Sequence, residues 1–432
     1  VVKETLAVTK DDGMAEKPLL IAGARQLLTL AGPRGPRRRS DLGRLGLVED
    51  GAVLAINGRI AATGRTRDIA RLKEARDAEI IDASGKVALP ALVDSHTHLA
   101  FAAPRLRDYE MRAAGATYEQ IAQAGGGILS SVAAVRRSGC GEILARAVFF
   151  AQQALACGAA TLEVKSGYGL DAENEIKLLE VIRDAGLVTG AELVPTFLGA
   201  HVIPAEYRRR RREYIRLLVD EMIPRVARDK LAAFCDVFCD RGAFTLAETR
   251  VILEAARRHK LKLKVHAEQL IHTGAAALAA KLGATSADHL DRVTARDIAA
   301  LARSQTLATL LPGACFHLGL RDYPPARRLI AGGAAVALAT DFNPGTSPTL
   351  AMPMVIALAV TQMRMSPAEA IAAATINAAH AIGRGDSLGS LEVGKQADIA
   401  VFDVEDYREI PYYFGMNFCW MTVKKGKVAW RR

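Results

Sequence analysis

Val87-Ala88-Leu89-Pro90-Ala91-Leu92-Val93, running into Asp94-Ser95-His96-Thr97-His98, is the stretch on which the fold reading turns. An apolar run of this length, closed by a polar cluster, reads as a buried strand. Side chains two apart on a strand share one face, so His96 and His98 can point at a single ion. Taken alone, the pair fits ordinary polar residues at a strand end equally well.

Further along the chain, other apolar runs close on a similar residue. Leu261 to Val265 ends at His266, Ala284 to Ala287 at Asp288-His289, and Ala335 to Ala339 at Thr340-Asp341. Strand-like runs lie at 88–93, 160–165, 192–198, 234–238, 262–266, 285–288, 306–310 and 335–340. Helical patterns rich in Ala and Leu separate most of them, at 142–157, 173–185, 206–227, 247–259, 273–281, 295–302 and 323–331. Eight such units predict an α/β fold of the (β/α)8 TIM type. Chemistry in that fold collects at the C-terminal ends of the strands, where His96, His98, His266, His289 and Asp341 fall.

The flanks read differently. Residues 18 to 85 carry short β runs, with Asn57-Gly58 as a hairpin turn between Ile56 and Ile60. Short strands return after residue 386, with Lys425-Gly426 as a second hairpin turn. The expected organisation is a barrel over 86–385, inserted in a small β-sandwich domain built from 1–85 and 386–432.

Composition narrows the function. Of 432 residues, half are apolar and 24% charged, which suits a globular chain with a large core. No apolar run reaches the roughly 18 residues of a membrane span, and no signal peptide is read at the start. The six scattered cysteines read as reduced thiols of a cytoplasmic protein. The net charge of +10 owes much to Arg34–Arg39 and Arg208–Arg212. With 5% aromatic residues and no nucleic-acid motif, solvated charge is the better reading and no nucleic-acid partner is expected.

Three imidazoles (His96, His98, His266) and the carboxylate of Asp341 form a donor set that suits one zinc or iron ion and leaves a position for water. A carboxylate closing an apolar strand needs a partner or a metal. His289 reads as a neighbour of that set, placed to polarise a carbonyl. Lys165, in Glu163-Val164-Lys165, reads as an ion-pair partner of Glu163 in preference to a metal bridge. Arg105 can hold a substrate carboxylate or be plain surface charge.

These motifs resemble the amidohydrolase superfamily. Within it, Glu163-Val164-Lys165-Ser166-Gly167-Tyr168-Gly169-Leu170, Phe197-Leu198-Gly199-Ala200-His201, His266-Ala267-Glu268-Gln269-Leu270 and Thr340-Asp341-Phe342-Asn343-Pro344-Gly345-Thr346 resemble the imidazolonepropionase family. The resemblance implies hydrolysis of the cyclic amide of 4-imidazolone-5-propanoate to N-formimino-glutamate, with one divalent metal, zinc or iron, and a homodimer. It implies His96, His98, His266 and Asp341 as ligands. Asp341, His289 and Gln269 would act in catalysis. Arg105, Tyr168, His201 and Gln269 would contact substrate, and Tyr168, Asn343, Gly345 and Thr346 the product. Ala103-Pro104 stands before Arg105 where the family has a glycine. A heterocycle deaminase of the same superfamily and a metal-free barrel scaffold are the alternative readings.

Overall fold

The computed structural model describes residues 17–432. The reading of no signal peptide falls largely on residues 1–16, outside the described residues. Eight parallel strands form the barrel: β1 (Leu92–Thr97), β2 (Ala159–Lys165), β3 (Glu192–Ala200), β4 (Phe234–Cys239), β5 (Lys262–Ala267), β6 (Ser286–His289), β7 (Leu307–Leu310) and β8 (Val336–Leu338). Each pairs with the next in sequence order. β8 stops at Leu338, short of the expected 340. The ring closes just beyond it: the Asp341 N–H donates to the His96 carbonyl at 3.0 Å, and the His98 N–H to the Phe342 carbonyl at 2.7 Å. Two of the four expected metal ligands are therefore laced together through their backbones.

The run 87–93 is not one strand. Val87–Pro90 pairs with Leu19–Leu28 and Ile399–Phe402 in a second sheet, and only Leu92 onward enters the barrel. The seam is Ala91, whose N–H goes to the Asp398 carbonyl, while the Leu92 N–H goes to Gly158. β1 also runs further than expected and carries His96 within it.

The second sheet has eight strands, all from the chain ends. Its order is Lys427–Arg431, Cys419–Lys424, Ile399–Phe402, Val87–Pro90, Leu19–Leu28, Leu47–Ile56 and Arg59–Arg65, with Glu79–Asp82 added beside Leu19–Leu28. Alternation along Ile399–Phe402 shows how it is held. Ile399 and Val401 join a core with Leu27, Val53 and Met421. Ala400 and Phe402 face the other way, into the main core with Ala151 and Leu155 of the barrel helix Cys140–Ala156. Phe402 packs so close to Gly158 that a Cβ there would meet its ring at 3.0 Å.

The basic cluster 34–39 is largely structural. The Arg38 guanidinium donates to the carbonyls of Ala302, Ser304 and Gly333, where two barrel helices end. Arg37 donates to Leu30 and Pro33. Cations at helix C-termini satisfy carbonyls that the helix leaves free. In the other cluster, Arg211 forks onto Glu248 at 2.6 Å. The helix expected over 206–227 is broken into a turn at Ala205–Tyr207, a helix Arg211–Arg216, a wide π segment Leu217–Met222 and a helix Ile223–Arg228. Pro224 has no N–H for the carbonyl four residues back, and the turn before it widens. No described helix is long and apolar enough to cross a membrane. All six cysteines are free.

Candidate metal centre

Four donor atoms meet at the C-terminal mouth of the barrel. His96 Nε2 lies 3.5 Å and His98 Nε2 3.6 Å from Asp341 Oδ1, and His266 Nε2 lies 3.4 Å from His98 Nε2. Two ligands each about 2.1 Å from zinc, at a tetrahedral angle, are about 3.4 Å apart. The spacing is that of a coordination shell.

The proton positions agree. His96 Nδ1 is 2.7 Å from Asp288 Oδ2 and donates to it, which leaves Nε2 a bare lone pair with no partner. His266 Nδ1 is 3.0 Å from Asp236 Oδ2, and its Nε2 likewise faces inward. Buried lone pairs turned toward one another repel unless a cation lies between them. Burial, followed by the Lys165 charge and the neighbouring imidazoles, holds His96 well below its ordinary pKa. Burial and His201 do the same for His98. Neutral imidazoles are the form that ligates. Burial also pushes the Asp341 carboxyl well above its usual range, a cost that a bound cation would reverse.

Local backbone places these groups. Asp341 sits at φ +54°, a left-handed conformation Asp tolerates, and turns its carboxylate in toward the histidines. Asp94 holds this end of the barrel by accepting from the Thr340 N–H at 3.0 Å and its hydroxyl at 2.6 Å. His289, at φ +78°, ends β6 with its ring 5.3 Å from that of His266 and 5.6 Å from that of His96. It can join His96 and His266 around a shared ion or stand beside it. Behind it lies Asp291, 4.0 Å from Nδ1, with a carboxyl raised to about 6 by burial.

A wall of aromatic and cationic groups adjoins the centre. His201 stacks on His98 with centroids 5.1 Å apart, and Tyr168 packs against both. His201 Nδ1 donates to the Gly167 carbonyl at 3.0 Å, which leaves Nε2 as an acceptor. The Arg105 guanidinium lies near the Tyr168 phenol, whose ionisation its charge favours, and 3.9 Å from Asp108. Pro104 does not turn Arg105 away: the Arg105 backbone N–H donates to the Pro344 carbonyl, in the loop that follows Asp341.

Two expected residues are placed differently. Gln269 is half-buried, and its backbone N–H is held by Asp240 at 3.0 Å. Its side-chain amide makes no hydrogen bond with another described residue. Asn343 is spent on its own loop. Its Oδ1 accepts from the N–H groups of Gly345 and Thr346, and its Nδ2 donates to the Asp341 carbonyl at 2.6 Å. Thr346 closes the same turn through its hydroxyl. Glu268, His272 and Asp297 also cluster, but Glu268 caps Thr273 and Ala276, and Asp297 caps Thr294.

The sequence reading missed Asp236 and had no role for Asp288. Both are carboxylates inside buried strands, and that was their signal. Lys165 pairs with Glu163 at 2.8 Å as expected, and with Asp236 at the same distance.

Comparisons with known proteins give the family and the fold. The Amidohydrolase family model matches residues 87–429. An imidazolonepropionase of Solibacter usitatus is 48% identical over 97% of this chain and all of that protein. One of Geobacillus kaustophilus is 46% identical over 96% of this chain and 98% of its own. Among solved structures, an adenosine deaminase from Xanthomonas campestris with bound zinc superposes with a TM-score of 0.69 at 18% identity, covering 95% of this chain and 92% of that one. An E. coli guanine deaminase reaches 0.70 at 14% identity, covering 96% and 100%. With that match and those relatives, the chain belongs to the amidohydrolase family, among the imidazolonepropionases.

Proposed function

We propose that the chain hydrolyses the cyclic amide of 4-imidazolone-5-propanoate to N-formimino-glutamate, the reaction of histidine degradation its relatives are named for. One observation carries the reading: the Arg105–Tyr168–His201 wall stands directly beside the four-donor centre. A guanidinium, a phenol and an imidazole can hold a small ring that bears a carboxylate arm. His96, His98, His266 and Asp341 would hold one divalent ion, zinc or iron. Such an ion lowers the pKa of water toward neutrality and supplies hydroxide.

The chain's own groups do the rest. Asp341 turns Oδ1 to the imidazoles, which leaves its second oxygen to take the proton from water and return it to the departing ring nitrogen. His289 polarises the ring carbonyl and steadies the oxyanion. Arg105 pairs with the propionate, while Tyr168, His201 and Gln269 orient the ring. Asn343, Gly345 and Thr346 shape the loop against which the opened product rests. The same reading includes a cytoplasmic homodimer and the domain division expected at 1–85, 86–385 and 386–432, with its first boundary moved to Ala91 because Val87–Pro90 pairs in the end sheet.

Incubating metal-loaded protein with 4-imidazolone-5-propanoate tests this. Its ultraviolet absorbance should fall as formiminoglutamate accumulates in equal amount. Absence of turnover, alongside deamination of an uncharged heterocycle, would replace the reading with that of a deaminase.

A further inference from the structure

Behind the ligand imidazoles lies a set of buried charges whose lysine has no role in the chemistry above. Lys165 on β2, Asp236 on β4 and Asp288 on β6 project into the barrel from alternate strands, the arrangement that builds one layer of such a core. All three side chains are fully buried, as is Glu163. The Lys165 ammonium is 2.8 Å from Glu163 Oε1, 2.8 Å from Asp236 Oδ2 and 3.8 Å from Asp288 Oδ2. Those last two oxygens are the ones that face the ligand imidazoles. Asp236 Oδ2 is 3.0 Å from His266 Nδ1, and Asp288 Oδ2 is 2.7 Å from His96 Nδ1.

We propose that Lys165 is a positioning residue of the metal centre: its ammonium braces Asp236, which aims His266, and shares with the Lys264 ammonium, 3.7 Å away from the same oxygen, the bracing of Asp288, which aims His96. Glu163 fixes the lysine from its own strand, the lysine fixes Asp236 directly, and Lys165 and Lys264 together hold Asp288 by charge. Each aspartate then holds its histidine as the Nδ1–H tautomer with Nε2 turned to the ion. The proposal rests on the metal reading given above.

Physics supplies a test by sign. An ammonium near a divalent cation repels it. If Lys165 acted only through its charge, replacing it with a neutral residue would tighten cation binding. If it acts as a brace, the aspartates swing or take up protons, the imidazoles lose their orientation, and binding weakens. Loss of such supporting contacts typically costs about 10- to 100-fold in metal affinity.

The experiment uses Co2+ on the metal-free full chain, with a competing chelator to measure affinity and the visible absorption of the bound ion to report geometry. Lys165→Met is compared with wild type and with Lys424→Met. Lys424 is another buried lysine, 2.8 Å from Asp398 and 2.9 Å from Glu192, that touches none of these aspartates. The brace predicts that Lys165→Met binds about 10- to 100-fold more weakly with an altered Co2+ spectrum, whereas Lys424→Met keeps both. Lys165→Gln, which still donates one hydrogen bond, serves if Lys165→Met does not fold, and the same outcomes apply. Equal or tighter binding with an unchanged spectrum would overturn the proposal. Failure of wild type itself to bind Co2+ would instead remove the metal reading beneath it.

Discussion

The guanidinium of Arg105 lies against Gly345, so close that a Cβ at Gly345 would overlap Nη2 and Cζ. The backbone at Gly345 is not left-handed, so alanine is permitted there by conformation and excluded by the neighbour. Gly345→Ala should push Arg105 off its seat beside Tyr168. We expect KM for the anionic substrate to rise by about tenfold or more with a smaller change in kcat, as for loss of uniform binding. Steady-state kinetics with thermal unfolding as a control checks this; an unchanged KM in a folded variant contradicts it.

Arg105→Ala removes the proposed partner of the propionate. A desolvated charge pair that loses one member costs about 2–5 kcal/mol, read here mainly in KM. Wild type offered an imidazolone without the carboxylate should show a loss of similar size. If the truncated compound is turned over as well as the full one, Arg105 has another role.

Asp341→Asn tests the proton path. General acid–base groups contribute about 100- to 10,000-fold, and weakened ligation adds to that. A variant that retains more than about a tenth of wild-type turnover would fit neither role.

Much of the centre was legible because polar residues closing apolar runs are costly unless used. His266, His289 and Asp341 stood out on that ground, and the period of a strand put His96 beside His98. The split of 87–93 was not legible. Both halves are apolar, and the partner that takes the first half, Ile399–Phe402, lies far along the chain. The pairing of Asp236 with His266, and of Asp288 with His96, depends on strand register and rotamer. Neither shows in local pattern. Asn343 makes an Asx turn, its side-chain oxygen accepting from the backbone N–H two residues on.

Glu192 links barrel to end sheet and gives a pH prediction. On β3, it pairs with Lys424 of the end sheet at 2.9 Å and with Arg384. Although burial opposes its charge, Lys424 and then Arg384 hold its carboxyl down at about 2, below the ordinary 4.5. A depressed carboxylate stabilises the fold fully above its unfolded value, and that contribution is lost as pH falls through the folded one. Glu192→Gln should therefore lower the unfolding midpoint at pH 7, and the gap to wild type should close between about pH 4.5 and 2. A gap that stays constant over this range would show that the pair adds nothing through its charge.

Titrating metal into the metal-free chain while following turnover of 4-imidazolone-5-propanoate tests the single-ion centre of His96, His98, His266 and Asp341 most directly. Activity should be absent without metal, rise linearly with added Zn2+ or Fe2+, and break sharply at about one ion per chain, the occupancy of a mononuclear hydrolase site. A break at about two ions, or full turnover by the metal-free chain, would contradict it.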